Sequence, residues 1–327
     1  MSVSIYDVAR EAGVALGTVS RVLNGAPTVG EATKARVEAA IEKLGYRPSS
    51  LARSLARGST RTLAMLVPDL SNPLFGDTAA GAQDAADVLD HVVLVYGTND
   101  NPERERRYID SFLDRQIDGL LLVRSILGAD ELAPIVERVP VIQVGRQHHL
   151  PGSRIVHVDQ VLGARSAVEH LIELGHRHIA LVEGPGTNDA AVERGIGYYQ
   201  ALAAAGIDPD PRLVVRGSLD EAGGASATAE LLNRRTDVTA IFASTDLMAL
   251  GAMSVLHGHG VRIPDDISLI GFDDIRISRF FAVPLTTIRQ PAHSMGAMAV
   301  TMALEEADGQ SHVMPTELII RNSTARI

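Results

Sequence analysis

The chain has 327 residues, no cysteine and a formal net charge of −10 at pH 7. Its length predicts two or three domains rather than one, and the lack of cysteine excludes disulfides and thiolate metal sites. No apolar run approaches the length of a membrane span and the first residues lack a signal-peptide core, so we expect a soluble, cytoplasmic protein.

The charge is unevenly distributed along the chain. Residues 1–62 carry nine Lys and Arg against five Asp and Glu, a net charge of +4, which leaves −14 on the remainder. A basic segment on an acidic body is typical of a protein whose nucleic-acid contacts are confined to one end, although chance asymmetry gives the same numbers.

The stretch Ile5–Asn24 predicts two short helices joined by a tight turn. Ser4 is the expected N-cap of the first helix, with Asp7 as its capping-box partner. Apolar residues at helical spacing follow, and Gly13 ends the helix because glycine adopts positive φ at low cost. A second helix is predicted over Leu16–Leu23.

The second helix has an apolar face and an outward face. Val19, Val22 and Leu23 are expected to face inward. The outward set is Leu16, Gly17, Thr18, Ser20 and Arg21. This arrangement is typical of a helix-turn-helix, whose second helix enters the DNA major groove. A helical hairpin without a nucleic-acid partner fits the same spacing.

Two further segments complete the N-terminal part. An apolar i, i+3, i+4, i+7 stripe predicts a third helix over Glu31–Leu44, which Gly45 ends. Pro48 prevents its continuation. Ser49–Arg57 has helical composition, but nine residues are too few to hold a helix in water without packing. The segment is therefore interpreted either as a helix that forms on binding or as a flexible linker.

From Thr62 onward, short apolar runs alternate with helical stretches. The runs are Leu63–Val67, Val92–Tyr96, Gly119–Val123, Val141–Val144, Ile179–Val182, Ala240–Ala243, Ile267–Ile270 and Leu318–Ile320. Such alternation predicts parallel sheets covered by helices. Because the runs fall into two sets, we expect an α/β body of two doubly wound parallel-sheet subdomains, with a ligand cleft at the carboxyl ends of the strands.

Three segments carry a family resemblance. DVAREAGVALGTVSRVLN, TKARVEAAIEKLGYRP and SSLARSLARG, in this order, resemble the LacI/GalR family of bacterial transcriptional regulators. The resemblance implies a helix-turn-helix head over residues 1–48, a hinge helix and linker over 49–60, and a periplasmic-binding-protein-like body for ligand binding and dimerisation over 61–327. Within the body it implies an N-subdomain of about residues 61–160 and 289–317 and a C-subdomain of about 161–288 and 318–327.

The resemblance also implies DNA contacts in the head and the hinge. Leu16, Gly17 and Arg21 are expected to read base edges. Tyr6, Thr18, Ser20 and Asn24 are expected to position the head on phosphates. The pair Leu16-Gly17 replaces the family's more common pair, so Arg21 would carry most of the hydrogen-bonded readout. In the hinge, Leu55 would act as a wedge in the minor groove and Arg53 as a minor-groove contact.

The resemblance, together with position at the ends of predicted strands, implies a set of effector contacts in the cleft; most lie in loops after strands, Arg194 lies in a helix that opens at about Ala190, and Gln290 lies at a crossover between the subdomains. These are Asn72, Phe75, Arg124, Arg146, Arg194, Thr245, Asp273 and Gln290. Thr245 stands where the family more often has asparagine, and Gly145-Arg146 replaces its common Asp-Arg. Arg124 and Arg146 add positive charge, which hints at an acidic or phosphorylated sugar. We therefore expect a sugar, a sugar phosphate or a nucleoside as the effector.

Other functions are less well supported by the sequence. The pairs at His148-His149, His176-x-His178 and His257-x-His259 lack metal-ligand spacing, and no catalytic motif is present, so we expect no metal, no cofactor and no enzyme. Asp273 and Asp274 are adjacent and should face opposite sides of a strand. We expect a regulator, most simply a repressor, that binds a palindromic operator as a homodimer, and no tetramer because no leucine-heptad tail follows. A sugar-binding transport component and a cleft enzyme are the rival interpretations.

Overall fold

The computed structural model describes residues 3–23, 28–46, 58–145, 150–234, 237–305 and 311–327. The chain divides into two compact units, Met1–Thr62 with Arg115–Asp118, and Leu63–Asp114 with Gly119–Ile327. Among the described residues, no helix is long and apolar enough to cross a membrane.

The described residues of the first unit form three short helices, α1 (Ile5–Ala12), α2 (Leu16–Leu23) and α3 (Glu31–Leu44), with the bounds of the last two as predicted. Their core consists of small apolar side chains, among which Val8, Val19 and Val37 are fully buried. Arg36 on α3 donates hydrogen bonds to the carbonyl oxygens of Ala12 (2.8 Å) and Gly13 (3.0 Å), which satisfies acceptors left open at the end of α1. These bonds compensate for the small size of the core.

The rest of the chain alternates strands with helices. The strands are β1 (Thr62–Val67), β2 (Val92–Gly97), β3 (Gly119–Val123), β4 (Val141–Val144), β5 (Arg154–Val158), β6 (Ile179–Glu183), β7 (Val214–Arg216), β8 (Ala240–Ala243), β9 (Ser268–Asp273), β10 (Thr286–Arg289), β11 (Ser311–Met314) and β12 (Glu317–Ile319). The α-helices are α4 (Pro73–Val88), α5 (Pro102–Asp114), α6 (Ala129–Val136), α7 (Gln160–Glu173), α8 (Asp189–Ala204), α9 (Glu221–Asn233), α10 (Asp246–Gly258) and α11 (Ala292–Leu304).

The strands form two six-stranded sheets, in the orders β11-β5-β4-β3-β1-β2 and β12-β10-β9-β8-β6-β7. The central pairings are parallel, whereas β12 runs antiparallel to β10. Helices cover both faces of a parallel sheet, and this is why central strands such as β3 and β8 are buried along their whole length. The predicted pair of doubly wound α/β subdomains is therefore confirmed.

Helices on the sheet faces approach each other through glycines. A Cβ atom on Gly296 of α11 would lie 1.9 Å from the carbonyl oxygen of Thr78 on α4, and one on Gly224 of α9 would lie 2.1 Å from that of Met248 on α10. Because no side chain fits in these gaps, the helix backbones are in direct contact. This packing holds the loops at the strand ends in fixed positions.

The chain passes from the first sheet to the second after β5, returns after β10, and passes over again between β11 and β12. Gln160 begins α7 directly after the first passage, and Gln290 follows β10 at the second. Both side chains are buried. The passages therefore bring buried polar groups to the carboxyl ends of the strands.

Candidate functional site

On the first unit, α2 carries the predicted DNA-reading side chains on its open face. Leu16, Gly17 and Arg21 are exposed, whereas Val19 on the opposite face is fully buried. Thr18 and Ser20 are partly buried on the flanks of this face, and Tyr6 of α1 is 64% exposed. Asn24, Arg53, Leu55 and the predicted hinge helix, like Arg146, lie outside the described residues. The helix can therefore pack inward through Val19 while its exposed face stays available to a partner.

In the second unit a pocket of about 60 Å³ lies where the strands of both sheets end. Seven of the predicted effector residues line it, namely Asn72, Phe75, Arg124, Arg194, Thr245, Asp273 and Gln290. A larger cavity of about 890 Å³ adjoins it and shares Asn72, Phe75 and Arg124 with it. Together these spaces form the cleft, a polar compartment with apolar walls at the position where ligands bind in open α/β sheets.

A buried hydrogen-bond network occupies one side of the pocket. Arg194 donates from Nε to Gln160 Oε1 (2.9 Å), from Nη1 to the carbonyl oxygen of Ser244, and from Nη2 to Asp273 Oδ1 (3.3 Å). Gln290 Nε2 donates to the same Oδ1 at 2.7 Å. The guanidinium also lies 3.8 Å from the ring centroid of Phe272. Arg194 is thus held by the protein on three nitrogens, and Asp273 and Gln290 are held with it.

The network contains the buried ion pair of Arg194 and Asp273, and its environment shifts the pKa values of both partners. Burial raises the pKa of the Asp273 carboxyl above its ordinary value, while Arg194 and Gln290 oppose the rise. Burial also lowers the pKa of Arg194. Asp273 has φ 125°, a conformation that a residue with a side chain rarely adopts. The network therefore fixes a buried carboxylate in the wall of the pocket, where hydroxyl groups of a ligand are suitable donors to it.

Asp246 begins α10 but neither caps this helix nor lines the inner pocket. Thr245 is the N-cap of α10, since its Oγ1 accepts from the backbone of Met248 (3.1 Å). Asp246 is fully buried, where it accepts from the backbone nitrogen of Ile275 (2.9 Å) and from Thr287 Oγ1 (2.5 Å). Burial raises its pKa well above the ordinary value. It holds the segment that follows Asp273.

Helix starts supply several of the polar groups at the cleft. Asn72 Oδ1 caps α4 by accepting from Leu74 N (3.0 Å), and Asn188 Oδ1 caps α8 by accepting from Ala191 N (3.0 Å). Each amide oxygen is thus used by its own helix, while the amide nitrogen can donate to a ligand. Asn72 was predicted from the sequence, whereas Asn188 and Gln160 were missed. For Asn188 the available signal was position, because it follows the predicted strand Ile179–Val182. Gln160 follows β5, a strand that the sequence did not predict.

The adjacent aspartates do not act together. Asp274 accepts from Arg289 Nε (2.7 Å) and Arg321 Nη2 (2.5 Å), away from the bonds that Asp273 makes with Arg194. Among the histidines, His176 is buried and bonded to Thr239, Ser268 and the carbonyl oxygen of Ala325. In the part of the chain that the structure describes, no three acidic or histidine side chains are grouped to hold a metal ion.

Comparisons with known proteins cover nearly the whole chain. Residues 4–49 match the bacterial regulatory proteins of the lacI family, and residues 168–324 match a periplasmic binding protein-like domain. The transcriptional repressor CytR of Escherichia coli K12 is 36% identical over 98% of this chain and 96% of its own length. The crystal structure of the lac repressor dimer, bound to operator and the anti-inducer ONPF, has a TM-score of 0.90 at 30% identity and covers 99% of this chain and 100% of its own. The complex of the regulator CelR with cellobiose has a TM-score of 0.74 at 33% identity, covering 98% of this chain and 99% of its own.

Proposed function

This chain belongs to the LacI family of bacterial regulatory proteins, and from that membership we propose that it is a repressor that releases or tightens its operator when a small molecule enters the cleft. It is a ligand-responsive, DNA-binding transcriptional regulator. We further propose that two copies bind one palindromic operator, that the protein works in the cytoplasm, and that it turns over no substrate.

The proposal rests on the presence of two features in one chain. One is α2, a helix whose exposed face is free to enter the DNA major groove, and the other is a cleft lined by polar side chains that are held in place by hydrogen bonds. Arg21 and Leu16 are exposed on α2, a helix whose packing depends only on its other face. In the same chain, the carboxylate of Asp273 is buried and fixed in the cleft. The lac repressor dimer bound to operator and CelR bound to cellobiose support both halves, because each is a solved relative with the same fold.

On the DNA side we propose the contacts expected from the sequence. Arg21 hydrogen-bonds base edges, and Leu16 makes apolar contact with a thymine methyl group, since Gly17 beside it has no side chain. Tyr6, Thr18, Ser20 and Asn24 bind phosphates. Residues 49–60 form the hinge that orders on the duplex, with Arg53 and Leu55 in the minor groove. We also propose the domain limits given by the resemblance, with the head at 1–48 and the body at 61–327.

On the ligand side we propose that the cleft binds a polyhydroxylated molecule between the two sheets. Asp273 accepts hydrogen bonds from the hydroxyls of this molecule, Gln290 donates hydrogen bonds to them, and Phe75 covers an apolar face of the ligand. Asn72, Arg194 and Thr245 line the site, and Arg124 and Arg146 contribute positive charge. Ligand and operator then influence each other through one coupling free energy, typically about 1–3 kcal/mol and equal in both directions.

The test is an operator titration with and without ligand. Fluorescence anisotropy with labelled palindromes from the gene's own upstream region should give a salt-sensitive Kd, because binding releases counterions from phosphates. A thermal-shift screen of sugars, sugar phosphates and nucleosides supplies the ligand, which should raise the stability of the folded state and change the operator Kd. A protein that shows no preference for any two-fold-symmetric site contradicts the proposal.

Arg21→Ala tests the reading helix itself. We expect a loss of about 1–3 kcal/mol in operator binding, with little change in binding to unrelated DNA. The matched control is Lys43→Ala, which also removes one positive charge from the first unit but at an exposed ion pair with Glu11 (2.6 Å) at the end of α3. Equal losses in the two variants would show that Arg21 contributes general charge rather than base readout.

A further inference from the structure

The two described arginines that line the inner pocket differ in how they are held. Arg194 is bonded through three nitrogens and paired with Asp273. Arg124 is only partly exposed, yet within the described part of the chain its guanidinium makes no hydrogen bond and no ion pair. It lies 5.9 Å from the ring centroid of Phe75. Asp100, Asp273 and Asp189 act on this guanidinium electrostatically, but none of the described carboxylates lies within ion-pair distance of it.

The backbone around Arg124 is built to keep the side chain there. Arg124 follows β3 with φ 52°, in the left-handed region that is unfavourable for arginine. The loop is held from behind by Glu105 of α5, a carboxylate only 2% exposed. Glu105 accepts from Ser125 Oγ and, at 3.3 Å, from the backbone nitrogen of Ile126. A buried carboxylate thus fixes the loop rather than neutralising the arginine that the loop presents.

The neighbouring strand end supplies no counter-ion either. Gly145 ends β4 with φ 76°, and a Cβ atom there would lie 3.9 Å from Arg124 Cγ. In this chain the position has no side chain. Because a desolvated charge is costly unless it is paired, a ligand that brings its own negative charge gains most at this point.

We propose that the effector is a polyhydroxylated carboxylate, that is a sugar acid, whose carboxylate pairs with Arg124 while its hydroxyls bind at Asp273 and Gln290. This inference rests on the proposed function of the cleft and names its ligand class. The guanidinium fork matches a planar carboxylate with two parallel hydrogen bonds. The inner pocket and the adjoining cavity, about 60 and 890 Å³, have room for a ligand of hexose size.

The charge around the cavity favours a carboxylate over a phosphate. Five acidic side chains line the larger cavity, namely Asp69, Asp100, Asp189, Asp220 and Glu221. Of the described residues that line this cavity, Arg124 alone is cationic, and it balances one negative charge. A phosphate ester carries nearly two negative charges at neutral pH and would face this acidic wall with the excess. A singly charged acid therefore fits the site better than a sugar phosphate.

The test compares matched ligands on the full-length protein. Glucuronate, galacturonate and gluconate are titrated beside glucose, galactose, glucose 6-phosphate, acetate and inorganic phosphate, with the melting temperature and calorimetric Kd as readouts. We expect at least one sugar acid to stabilise the wild type, and its neutral counterpart and glucose 6-phosphate to bind at least tenfold more weakly. Acetate and inorganic phosphate alone should have little effect, because they lack the hydroxyls that Asp273 and Gln290 bind.

Two variants test whether the carboxylate of the ligand binds at Arg124. Arg124→Met and Gly145→Asp should each weaken binding of the acid by about 10- to 100-fold, the first by removing the charge and the second by supplying an internal carboxylate. Arg262→Met, at an exposed site with side-chain exposure of 67%, is the matched control and should leave binding unchanged. Unliganded Arg124→Met should melt no lower than the wild type, because Arg124 makes no hydrogen bond or ion pair with the described residues and Met keeps an apolar contact with Phe75. A lower melting point would indicate a structural arginine and would contradict the proposal.

Failure of this inference and failure of the proposed function give different results. Operator binding is measured on the same preparations. If a neutral sugar, a nucleoside or a sugar phosphate shifts operator affinity and Arg124→Met leaves that shift intact, the protein is a ligand-responsive regulator but the sugar-acid proposal is wrong. The sugar-acid proposal is also wrong if no acid in the panel stabilises the wild type. If no operator is bound under any condition, the proposed function itself fails.

Discussion

The ion pair at the centre of the cleft gives the largest single-residue effect that the structure predicts. The side chains of Arg194 and Asp273 are only 6% and 2% exposed, and Nη2 lies 3.3 Å from Oδ1. Two unit charges at that separation attract by about 5 kcal/mol at an effective dielectric constant of 20. Asp273→Asn keeps the shape and removes the charge, so that Arg194 remains buried and unpaired. We expect the free energy of unfolding to fall by about 3–5 kcal/mol.

Urea unfolding followed by circular dichroism at pH 7 measures this loss. The matched control is Asp266→Asn, which breaks a 2.7 Å ion pair with Arg262 that is exposed on both sides and should cost less than about 1 kcal/mol. The double variant Arg194→Met/Asp273→Asn should lose less than the two single variants together, because no unpaired charge remains. If Asp273→Asn costs no more than the surface control, the electrostatic account of the cleft is wrong.

Three smaller predictions concern other parts of the molecule. Asp118 accepts hydrogen bonds from Ser59 Oγ (2.7 Å) and the Thr60 backbone nitrogen (3.0 Å). Asp118→Asn should therefore reduce the ligand-dependent change in operator affinity by about 1 kcal/mol while leaving ligand binding unchanged. Operator titration measures the first quantity and calorimetry the second. Burial lowers the pKa of His176 below its usual 6.5, so its contribution to stability should be lost as pH falls below 6.5, and His176→Gln should flatten the melting-temperature profile between pH 7 and 5.5. Gly296→Ala should lower the free energy of unfolding, measured in urea, by at least about 1–3 kcal/mol, because its Cβ would lie 1.9 Å from a helix carbonyl oxygen. The control is Gly258→Ala, whose Cβ would have no neighbour within 4 Å, so this variant should be as stable as the wild type or slightly more stable.

The parts of the fold that the sequence predicted are those in which local pattern and burial agree. The strands Gly119–Val123, Val141–Val144 and Ala240–Ala243 were predicted to the residue, because a near-continuous apolar run is required where helices cover both faces of a sheet, and only Gln143 interrupts these three runs. Four strands were missed, β5, β7, β10 and β11. These strands contain polar residues that are stabilised by partners far away in the sequence, as in the bond between His157 Nε2 and Ser311 Oγ (3.1 Å). No local window contains that information.

In the cleft, too, some features could be predicted from local sequence and others depend on contacts between residues far apart in the chain. Position at a strand's carboxyl end selected Arg124, and position together with the family resemblance selected Asn72 and Asp273; the structure brings all three to one pocket. Position could not reveal which donors the protein itself uses. Arg194 reaches Gln160, 34 residues away, and Asp273, 79 residues away. Which of two similar arginines is available to a ligand is therefore decided by tertiary contacts alone.

The strands β1 and β3 offer a physical route by which the cleft could act on the linker. Asp118 directly precedes β3 and holds residues 59–62, which lead directly into β1. The two strands pair in parallel, with Leu63 opposite Gly119 and Leu66 opposite Leu122. At their other ends, about 20 Å away for a six-residue strand, β1 leads to Asn72 and Phe75 and β3 to Arg124. A ligand that draws Arg124 against Phe75 therefore pulls on the same two strands whose starts are tied together at Asp118. Because β3 is buried along its whole length and β1 is buried from Leu63 onward, the close-packed strands transmit a shift at one end more readily than they absorb it. Weakening the bonds to Asp118 should therefore uncouple the two ends without disturbing either site.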